Sequence, residues 1–186
     1  MNELFTGWGV RTLASTMAAY NPMSYHNGSV WPHDNALIAT GLIRYGYVRE
    51  GQRLATAILE AASAFGGRLP ELFCGFDRSD YPAPVPYPTS CSPQAWASAA
   101  PIQLMKALLR LDPCMSKREL WFAPAWPAGY GPLRMHNIPF GSSRVTLTVD
   151  EAGARLSGVA PDVTVISEPR SALTAFSRDQ RVEPAE

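Results

Sequence analysis

Six of the seventeen prolines lie between positions 70 and 93, and this cluster constrains the fold more than any other feature of the sequence. A proline ring fixes φ and removes a backbone donor, so neither a helix nor a central strand can run through such a stretch. The cluster therefore predicts a long, stiff loop. Elements on its two sides must reach each other across that loop.

Three amphipathic patterns predict helices around this loop. They cover residues 34–46, 50–65 and 93–111. Asp34 or Asn35 is the expected cap of the first helix and Gly46 its stop. Pro101 is expected to kink the third helix. Because so few residues separate the first two helices, we expect them to be antiparallel neighbours.

The sequence changes character after Pro113. Short β-type runs separated by Pro and Gly predict two to four antiparallel strands, forming a small sheet over about residues 119–157. The segment 145–149 alternates apolar and polar residues as a half-buried strand does. From residue 168 to 186 charged residues, Ser and Pro dominate without any period, which predicts a disordered tail.

Composition limits the class of partner. Sixteen Lys and Arg balance sixteen Asp and Glu, so the chain lacks the positive charge that nucleic acid or an anionic membrane attracts. Three cysteines without C-x-x-C spacing build neither a disulfide framework nor a zinc site. The longest apolar run, 36–43, is far too short to cross a bilayer. These features predict a cytoplasmic protein with a neutral partner, without nucleic acid or membrane binding.

The segment 20–35 carries the residue types that sugar sites use. It contains aromatic rings for the apolar faces of pyranoses, together with amides, hydroxyls and two histidines that direct hydrogen bonds to sugar hydroxyls. A purely structural role, in which prolines and Gly28 shape a buried loop, is an equal alternative at any one position. His26, His33 and Asp34 lack metal-ligand spacing. We therefore expect no metal ion and no cofactor.

Glu71 is the carboxylate with the most suggestive surroundings. It lies between Leu69-Pro70 and Leu72-Phe73, and partial burial among apolar neighbours can tune a carboxyl group for acid or base chemistry. The simpler alternative is an exposed glutamate that pairs with Arg68 or Arg78. Asp77 and Asp80 are expected to be solvated loop residues.

Four ordered runs together resemble a known group of enzymes. The runs are GWGVRTLAS (7–15), YNPMSYHNGSVWPHDN (20–35), RLPELFCGF (68–76) and PVPYPTSCSPQAWASAA (84–100). Over about residues 1–112 they are similar to the C-terminal part of amylo-α-1,6-glucosidase-like proteins of the glycogen-debranching group, which are (α/α)6-barrel glycoside hydrolases. The resemblance implies a mainly α fold, a partial (α/α)6 toroid formed by the last three helices and followed by a small antiparallel β extension.

The resemblance also implies a division into domains. Residues 1–112 correspond to the barrel portion, 113–167 to the β extension and 168–186 to a disordered tail. Three helices cannot close a barrel of twelve, so a complementing chain or an oligomer is expected to cover their open faces.

Roles for individual residues follow from the resemblance by position. Glu71 stands where related inverting enzymes carry the general base. The expected sugar-binding residues are Tyr25, Asn27, Trp31 and His33, which match the pocket motif, with Trp8 and Gln94 in addition. The general acid of this group belongs to an earlier segment that is absent from the sequence, so the chain by itself is expected to be inactive.

The expected function is that of a C-terminal fragment of a glycogen-debranching-like α-glucosidase, which acts on an α-glucan or oligosaccharide by inverting hydrolysis. One alternative is a non-catalytic carbohydrate-binding or regulatory remnant of such an enzyme, which would keep the aromatic loop without needing Glu71. Another alternative is an unrelated helical interaction protein.

Overall fold

The structure, a computed structural model, describes residues 3–171. Within that range it contains three α-helices, six β-strands and two short 3-10 helices. The helices are α1 (Pro32–Arg44), α2 (Val48–Ala64) and α3 (Ala95–Leu108). The strands are β1 (Leu111–Cys114), β2 (Glu119–Phe122), β3 (Leu133–Phe140), β4 (Ser143–Asp150), β5 (Gly153–Ser157) and β6 (Thr164–Ile166).

The described residues fall into two compact units. The first covers residues 3–43 and 48–105, and the second covers 44–47 and 106–171. The first unit contains long loops and most of the helical residues, and the second contains the six strands. No helix in the described part of the chain has the length and apolarity needed to span a bilayer.

Helix α1 begins earlier than predicted. Pro32 is its first residue, a position that suits proline because the missing N–H has no partner within a helix there. The prediction that Asp34 or Asn35 caps this helix is therefore wrong, since both lie inside its first turn. The Asn35 side chain instead binds another segment: Oδ1 accepts from Val10 N at 2.6 Å, and Nδ2 donates to Val10 O at 2.9 Å.

Helices α1 and α2 form the predicted antiparallel hairpin. Gly51, in the first turn of α2, lies so close to the last turns of α1 that an added Cβ would meet Ile43 at 2.5 Å. At the other end, Gly9 is wedged between Asn35 of α1 and Ile58 of α2. The α2 face that includes Leu54 and Ile58 is fully buried, as its helical spacing predicts.

Helix α3 is shorter than the predicted range of 93–111. It runs through Pro101 without interruption and ends at Leu108. Arg110 adopts a positive φ of 44°, which a right-handed helix does not tolerate, and the chain enters β1 at Leu111.

The second unit is built from two three-stranded sheets. One has the strand order β1-β2-β6 and the other β3-β4-β5. The pair β2 and β6 is parallel, and the remaining pairs are antiparallel. Alternate residues of β4, including Val145 and Leu147, point inward and pack with Leu120 and Phe122 of β2, which gives this unit its core.

The predicted fold class is wrong. A mainly α partial toroid with a small antiparallel extension does not describe a chain with three helices and two three-stranded sheets in its described residues. Strands begin at Leu111 and continue to Ile166, beyond the predicted sheet at both ends, and their number exceeds the predicted two to four. The physical reason is that single short runs such as β1 and β6 carry little periodicity and become strands only through pairing with β2.

The predicted domain boundaries at residues 112 and 167 stay a prediction. Most of the predicted disordered tail, residues 172–186, lies outside the described residues.

Candidate functional site

The loops of the first unit are joined by a row of single β-bridges. Val30 exchanges two backbone hydrogen bonds with Phe73, at 2.9 and 3.0 Å. Val30 also bridges Arg11, and Phe73 bridges Pro86. Four segments that are distant in sequence are thereby aligned side by side, and the residues next to Val30 and Phe73 are brought to a common site.

Two glycines allow the site loops to cross. A Cβ on Gly75 would lie 1.6 Å from the carbonyl oxygen of Gly28, so only glycine fits at position 75. Arg11 stabilises this crossing and is only 3% exposed. Its guanidinium group donates to Tyr20 Oη at 2.5 Å, to Gly75 O at 3.1 Å and to Asp77 Oδ1 at 2.9 Å. Asp77 is thus an ion-pair partner rather than a merely solvated loop residue.

Glu71 is buried at the centre of these loops, with 8% of its surface exposed. Tyr25 Oη donates a hydrogen bond to Glu71 Oε1 at 2.6 Å. The backbone N–H of Cys91 donates to Oε2 at 3.3 Å, and the Glu71 N–H donates to Cys91 O at 2.9 Å. The Gln94 side chain adds a further hydrogen bond. The alternative of an exposed Glu71 paired with Arg68 or Arg78 is therefore wrong.

These contacts fix the protonation of the Tyr25–Glu71 pair. The hydrogen bond from Tyr25, helped by Cys91 and Gln94, lowers the pKa of Glu71 below its ordinary range although burial opposes the shift. The same hydrogen bond is the main reason that the pKa of Tyr25 rises to about 12. At neutral pH Glu71 is thus a carboxylate and Tyr25 a neutral donor, which suits Glu71 to act as a base rather than as an acid.

Three aromatic rings surround the ring of Tyr25. Trp31 and Tyr87 meet the Tyr25 ring edge-on, with centroid distances of 5.0 and 5.7 Å. His26 also contacts Tyr25 edge-on and lies parallel to Trp31 at 6.2 Å. Ser29 fixes the geometry, since its hydroxyl accepts from Trp31 Nε1 at 2.9 Å and donates to Tyr25 O at 2.7 Å.

A second set of rings extends the site to α3. His33 stacks on Trp96 with centroids 4.6 Å apart and planes 13° apart. Trp96 in turn meets Trp31 edge-on at 6.3 Å. Trp96 is 43% exposed. We call the group Tyr25, His26, Trp31, His33, Glu71, Tyr87, Gln94 and Trp96 the loop-built site.

The structure brings most of the predicted site residues together. Tyr25, Trp31, His33, Glu71 and Gln94 lie in the loop-built site, linked by the contacts above. Trp8 does not join these contacts, because it is 6% exposed, donates to Tyr81 O at 3.4 Å and packs under the Arg78 guanidinium. Asn27 is exposed and contributes backbone bonds to the turn of its own loop, through its N–H to Ser24 and its carbonyl from Asn21.

Sequence reasoning missed Tyr87 and Trp96 as site residues and placed His26 only in the general sugar-site segment 20–35. Trp96 fits the apolar pattern of α3, and only the structure shows that it is exposed. Tyr87 lies in the proline cluster, whose path depends on the bridge between Phe73 and Pro86. Among the described residues, no group of three His, Cys, Asp or Glu side chains is arranged to hold a metal ion.

The N-terminal part of the chain is similar to a glycoside hydrolase domain. Residues 1–73 match the family model of the mannosylglycerate hydrolase MGH1-like glycoside hydrolase domain. The matched range contains Tyr25, Trp31, His33 and Glu71, whereas Gln94 and Trp96 lie beyond it. No curated protein matches the chain.

This match confirms the general resemblance and limits the specific one. A relationship to glycoside hydrolases, predicted from four sequence runs, is borne out for residues 1–73. It does not point to amylo-α-1,6-glucosidases in particular. The match also counts against the alternative of an unrelated helical interaction protein.

Proposed function

We propose that the loop-built site cleaves a glycosidic bond, with Glu71 activating a water molecule and the aromatic rings holding the sugar. The observation that carries this proposal is the 2.6 Å hydrogen bond from Tyr25 to Glu71 inside a ring cluster of a glycoside-hydrolase-like segment. A buried carboxylate that stays ionised is suited to remove a proton from water. The lowered pKa of Glu71 keeps the carboxylate ionised at neutral pH, and it also makes Glu71 a weak base.

The sugar would contact ring faces and the polar atoms beside them. Trp96 is 43% exposed, Trp31 meets it edge-on, and Tyr25 meets Trp31 edge-on. Gln94 Oε1 is buried and has no partner within the described residues, so it is available to accept a hydrogen bond from a sugar hydroxyl or from the attacking water.

Two substrate classes compete. The sequence resemblance favours an α-glucan, whereas the family that matches residues 1–73 is named for a mannosylglycerate hydrolase. Glu71 carries a negative charge at the centre of the loop-built site, and it would repel the carboxylate of a glycerate group nearby. We therefore propose a neutral α-glucoside as the substrate and treat a mannoside as the alternative.

Inverting hydrolysis also needs an acid. It uses two carboxyl groups about 6.5 to 9.5 Å apart, one of which protonates the leaving oxygen. The sequence resemblance places the acid of this group in an earlier segment than the one that carries Glu71. We propose that a separate polypeptide segment brings the acid.

Exposed apolar side chains on α1 and α3 support such a partner. Leu37 and Ile38 of α1 are 55% and 39% exposed, and Ile102 of α3 is 72% exposed. The two helices touch within the first unit, since Gln103 Nε2 donates to Thr40 Oγ1 at 3.0 Å. Trp96 of the loop-built site lies on the same helix as Ile102, so we propose that the segment that covers these exposed side chains also brings the acid to Glu71.

A substrate that needs no acid tests the base directly. In α-glucosyl fluoride, the water oxygen bonds to the anomeric carbon as the C–F bond breaks, Glu71 takes the water proton and fluoride leaves unprotonated. We expect the purified chain to release fluoride and to form β-glucose first, which NMR detects as inversion. Glu71→Gln should lower the rate by about 10² to 10⁴.

Matched substrates and variants complete the experiment. Glu50→Gln, an exposed residue in the first turn of α2, makes the same chemical change outside the site and should leave the rate unchanged. Maltose should stay intact without an added acid. Faster fluoride release from α-mannosyl fluoride than from α-glucosyl fluoride would show that the substrate is a mannoside rather than a glucoside.

A non-catalytic carbohydrate-binding protein is the second candidate. Both Glu71 oxygens already accept hydrogen bonds from the protein, Oε1 from Tyr25 and Oε2 from Cys91 N, and this engagement favours a structural role for Glu71 in such a protein. Saturable binding of maltotriose without fluoride release from either fluoride would support it. Fluoride release that is insensitive to Glu71→Gln but lost in Asp34→Asn would show that the wrong carboxylate is assigned.

A further inference from the structure

One face of the β3-β4-β5 sheet carries a hollow with a volume of about 620 Å³. Successive strand residues point to opposite faces, and Leu147 of β4 points into the core, so its neighbour Thr148 points away from the core. The strand register extends this face, because Thr148 is paired with Arg134 on β3 and with Arg155 on β5. We call it the polar sheet face, after the polar residues that line the hollow: Arg134, Thr146, Thr148, Asp150, Arg155 and Ser157.

Arg134 supplies the unpaired charge of the polar sheet face. Its side chain is exposed, and within residues 3–171 no hydrogen bond or ion pair engages its guanidinium group. Arg155 differs, because it forms an ion pair with Asp150. Since these two charges neutralise each other, the lining of the hollow keeps one positive charge, that of Arg134.

The Asp150 carboxylate already has partners in the protein. Both of its oxygens accept hydrogen bonds from the Arg155 guanidinium, and Oδ1 also accepts from Ala152 N at 3.0 Å. Arg134 has no such partner, so a ligand that brings an oxyanion gains a hydrogen-bonded charge pair at Arg134 without breaking a contact of the protein.

Hydroxyl groups lie beside Arg134 on the same face. Thr148 is opposite Arg134, and opposed residues on neighbouring strands have Cβ atoms about 5 Å apart. Thr146 and Ser157 form the next opposed pair of this face. Such hydroxyls can donate hydrogen bonds to ligand hydroxyls and accept hydrogen bonds from them. The matching ligand therefore carries an oxyanion and several hydroxyl groups.

We propose that the polar sheet face binds an acidic sugar, with its carboxylate or phosphate oxygens on Arg134 and its hydroxyl groups on Thr148 and Ser157. A planar guanidinium group can donate two parallel hydrogen bonds to an oxyanion, and such charge-assisted bonds are about twice as strong as those to a neutral hydroxyl. The face belongs to the second unit, so this proposal does not rest on the proposed function of the loop-built site.

NMR titration of the full ¹⁵N-labelled chain with D-glucuronate and with glucose 6-phosphate tests the proposal. The ionic strength is kept constant, because salt screens exposed charges. We expect saturable shifts of the amide signals of Arg134, Thr148 and Arg155 with at least one of these sugars, and the tighter ligand identifies the oxyanion as a carboxylate or a phosphate. Glucose lacks the oxyanion and acetate lacks the hydroxyl groups. Binding of either control as tight as that of the acidic sugars would overturn the proposal.

Variants of the basic and hydroxyl groups should weaken the binding. Arg134→Gln should weaken it about tenfold, because a hydrogen-bonded charge pair is lost. Arg49→Gln, the same change at an exposed residue of α2, is the control and should leave the binding unchanged. Thr148→Val keeps the shape of a β-branched side chain and should weaken the binding about threefold. Equal binding by Arg134→Gln and wild type would contradict the proposal.

Asp150→Asn should have the opposite effect. Asparagine keeps an oxygen that can accept from Ala152 N, but it removes the negative charge and releases Arg155 from its ion pair. The binding of the acidic sugar should therefore strengthen about threefold. Weaker binding would show that the ligand needs the carboxylate and would overturn the proposal. If the signals of the polar sheet face stay fixed at about 20 mM of both acidic sugars, a site of millimolar affinity is excluded and the proposal fails. Shifts confined to the loop-built site would overturn this proposal alone.

Discussion

The loops around Glu71 and the strands around Leu147 are stabilised in different ways. In the first region, single bridges and side-chain hydrogen bonds hold irregular backbone, and polar groups such as Arg11, Ser29 and Glu71 are buried. In the second region, regular ladders cover an apolar core and the ion pairs lie at the surface.

This contrast shows that the buried polar groups lie in the loop region. Burying a polar group costs free energy unless its partners are in place, so a region that buries several of them must be organised around their contacts. Tyr25 and Glu71 provide those partners for each other. The strand region obtains its stability from apolar burial, and its polar side chains remain on the outer face. Four variants, in order of falling effect, test this contrast.

Gly75→Ala should have the largest effect. Its Cβ would meet the Gly28 carbonyl at 1.6 Å, and backbone cannot move aside as a flexible side chain does. We expect a loss of about 4 kcal/mol in the free energy of unfolding, measured by urea denaturation, in the range of exceptional single substitutions. Gly129→Ala is the control, because nothing lies within 4 Å of its added Cβ. Equal stability of the two variants would show that the loops do not cross as described.

Leu147→Ala tests the strand region. Leu147 is fully buried, so removing its side chain leaves a cavity and should lower the free energy of unfolding by about 3 kcal/mol. Val165→Ala on β6 removes an exposed aliphatic group, 41% exposed, and should cost less than about 0.5 kcal/mol. The same urea series measures both. A small effect of Leu147→Ala would contradict the placement of the core between the two sheets.

Arg11→Met compares a buried ion pair with an exposed one. The Arg11 side chain is 2% exposed and bonds to Asp77, Tyr20 and Gly75, so its loss should cost about 2 kcal/mol. In Arg118→Met the lost pair with Asp162 is largely exposed, and the cost should be less than about 1 kcal/mol. Thermal unfolding distinguishes the two outcomes. Equal shifts in Tm would show that the buried and the exposed ion pair contribute equally to stability.

Tyr25→Phe should have the smallest effect on stability and a distinct pH dependence. The hydrogen bond to Glu71 raises the pKa of Tyr25 from 10.0 to about 12. The stabilisation that this bond gives the folded state is therefore complete below pH 10 and is lost as the pH rises towards about 12. The same hydrogen bond lowers the pKa of Glu71 from 4.5. Its stabilisation of the folded state is therefore complete above pH 4.5 and is lost as the pH falls through the lowered pKa.

The measurement is the stability difference between wild type and Tyr25→Phe as a function of pH. It should be constant between about pH 5 and pH 10 and shrink on both sides. Carboxyl ¹³C NMR should also show a higher pKa for Glu71 in the variant. Tyr20→Phe, which removes a hydroxyl bonded to Arg11 instead, is the control and should leave the pKa of Glu71 in place. An unchanged pKa of Glu71 in Tyr25→Phe would mean that the hydrogen bond from Tyr25 does not lower that pKa.

The predictable parts of this protein are those that a local period specifies. Helical spacing gave α1, α2 and α3 within a few residues, and alternation gave β4. The short strands β1 and β6 escaped prediction because their pairing with β2 depends on residues far away in the sequence. The prediction of a mainly α fold failed for this reason, because only two to four strands were expected after Pro113 and six are present in the described residues.

The site shows the same division. Residue types and the family resemblance singled out Tyr25, Trp31 and Glu71 as candidates for a sugar site, beside structural alternatives at the same positions. That Tyr25 donates to Glu71, that Trp96 joins His33 and that Trp8 contacts Arg78 instead were decided by the tertiary structure. A local pattern fixes what a residue can do, whereas the partners of a loop residue depend on bridges and crossings, such as Val30 with Phe73 and Gly28 with Gly75, that have no period in the sequence.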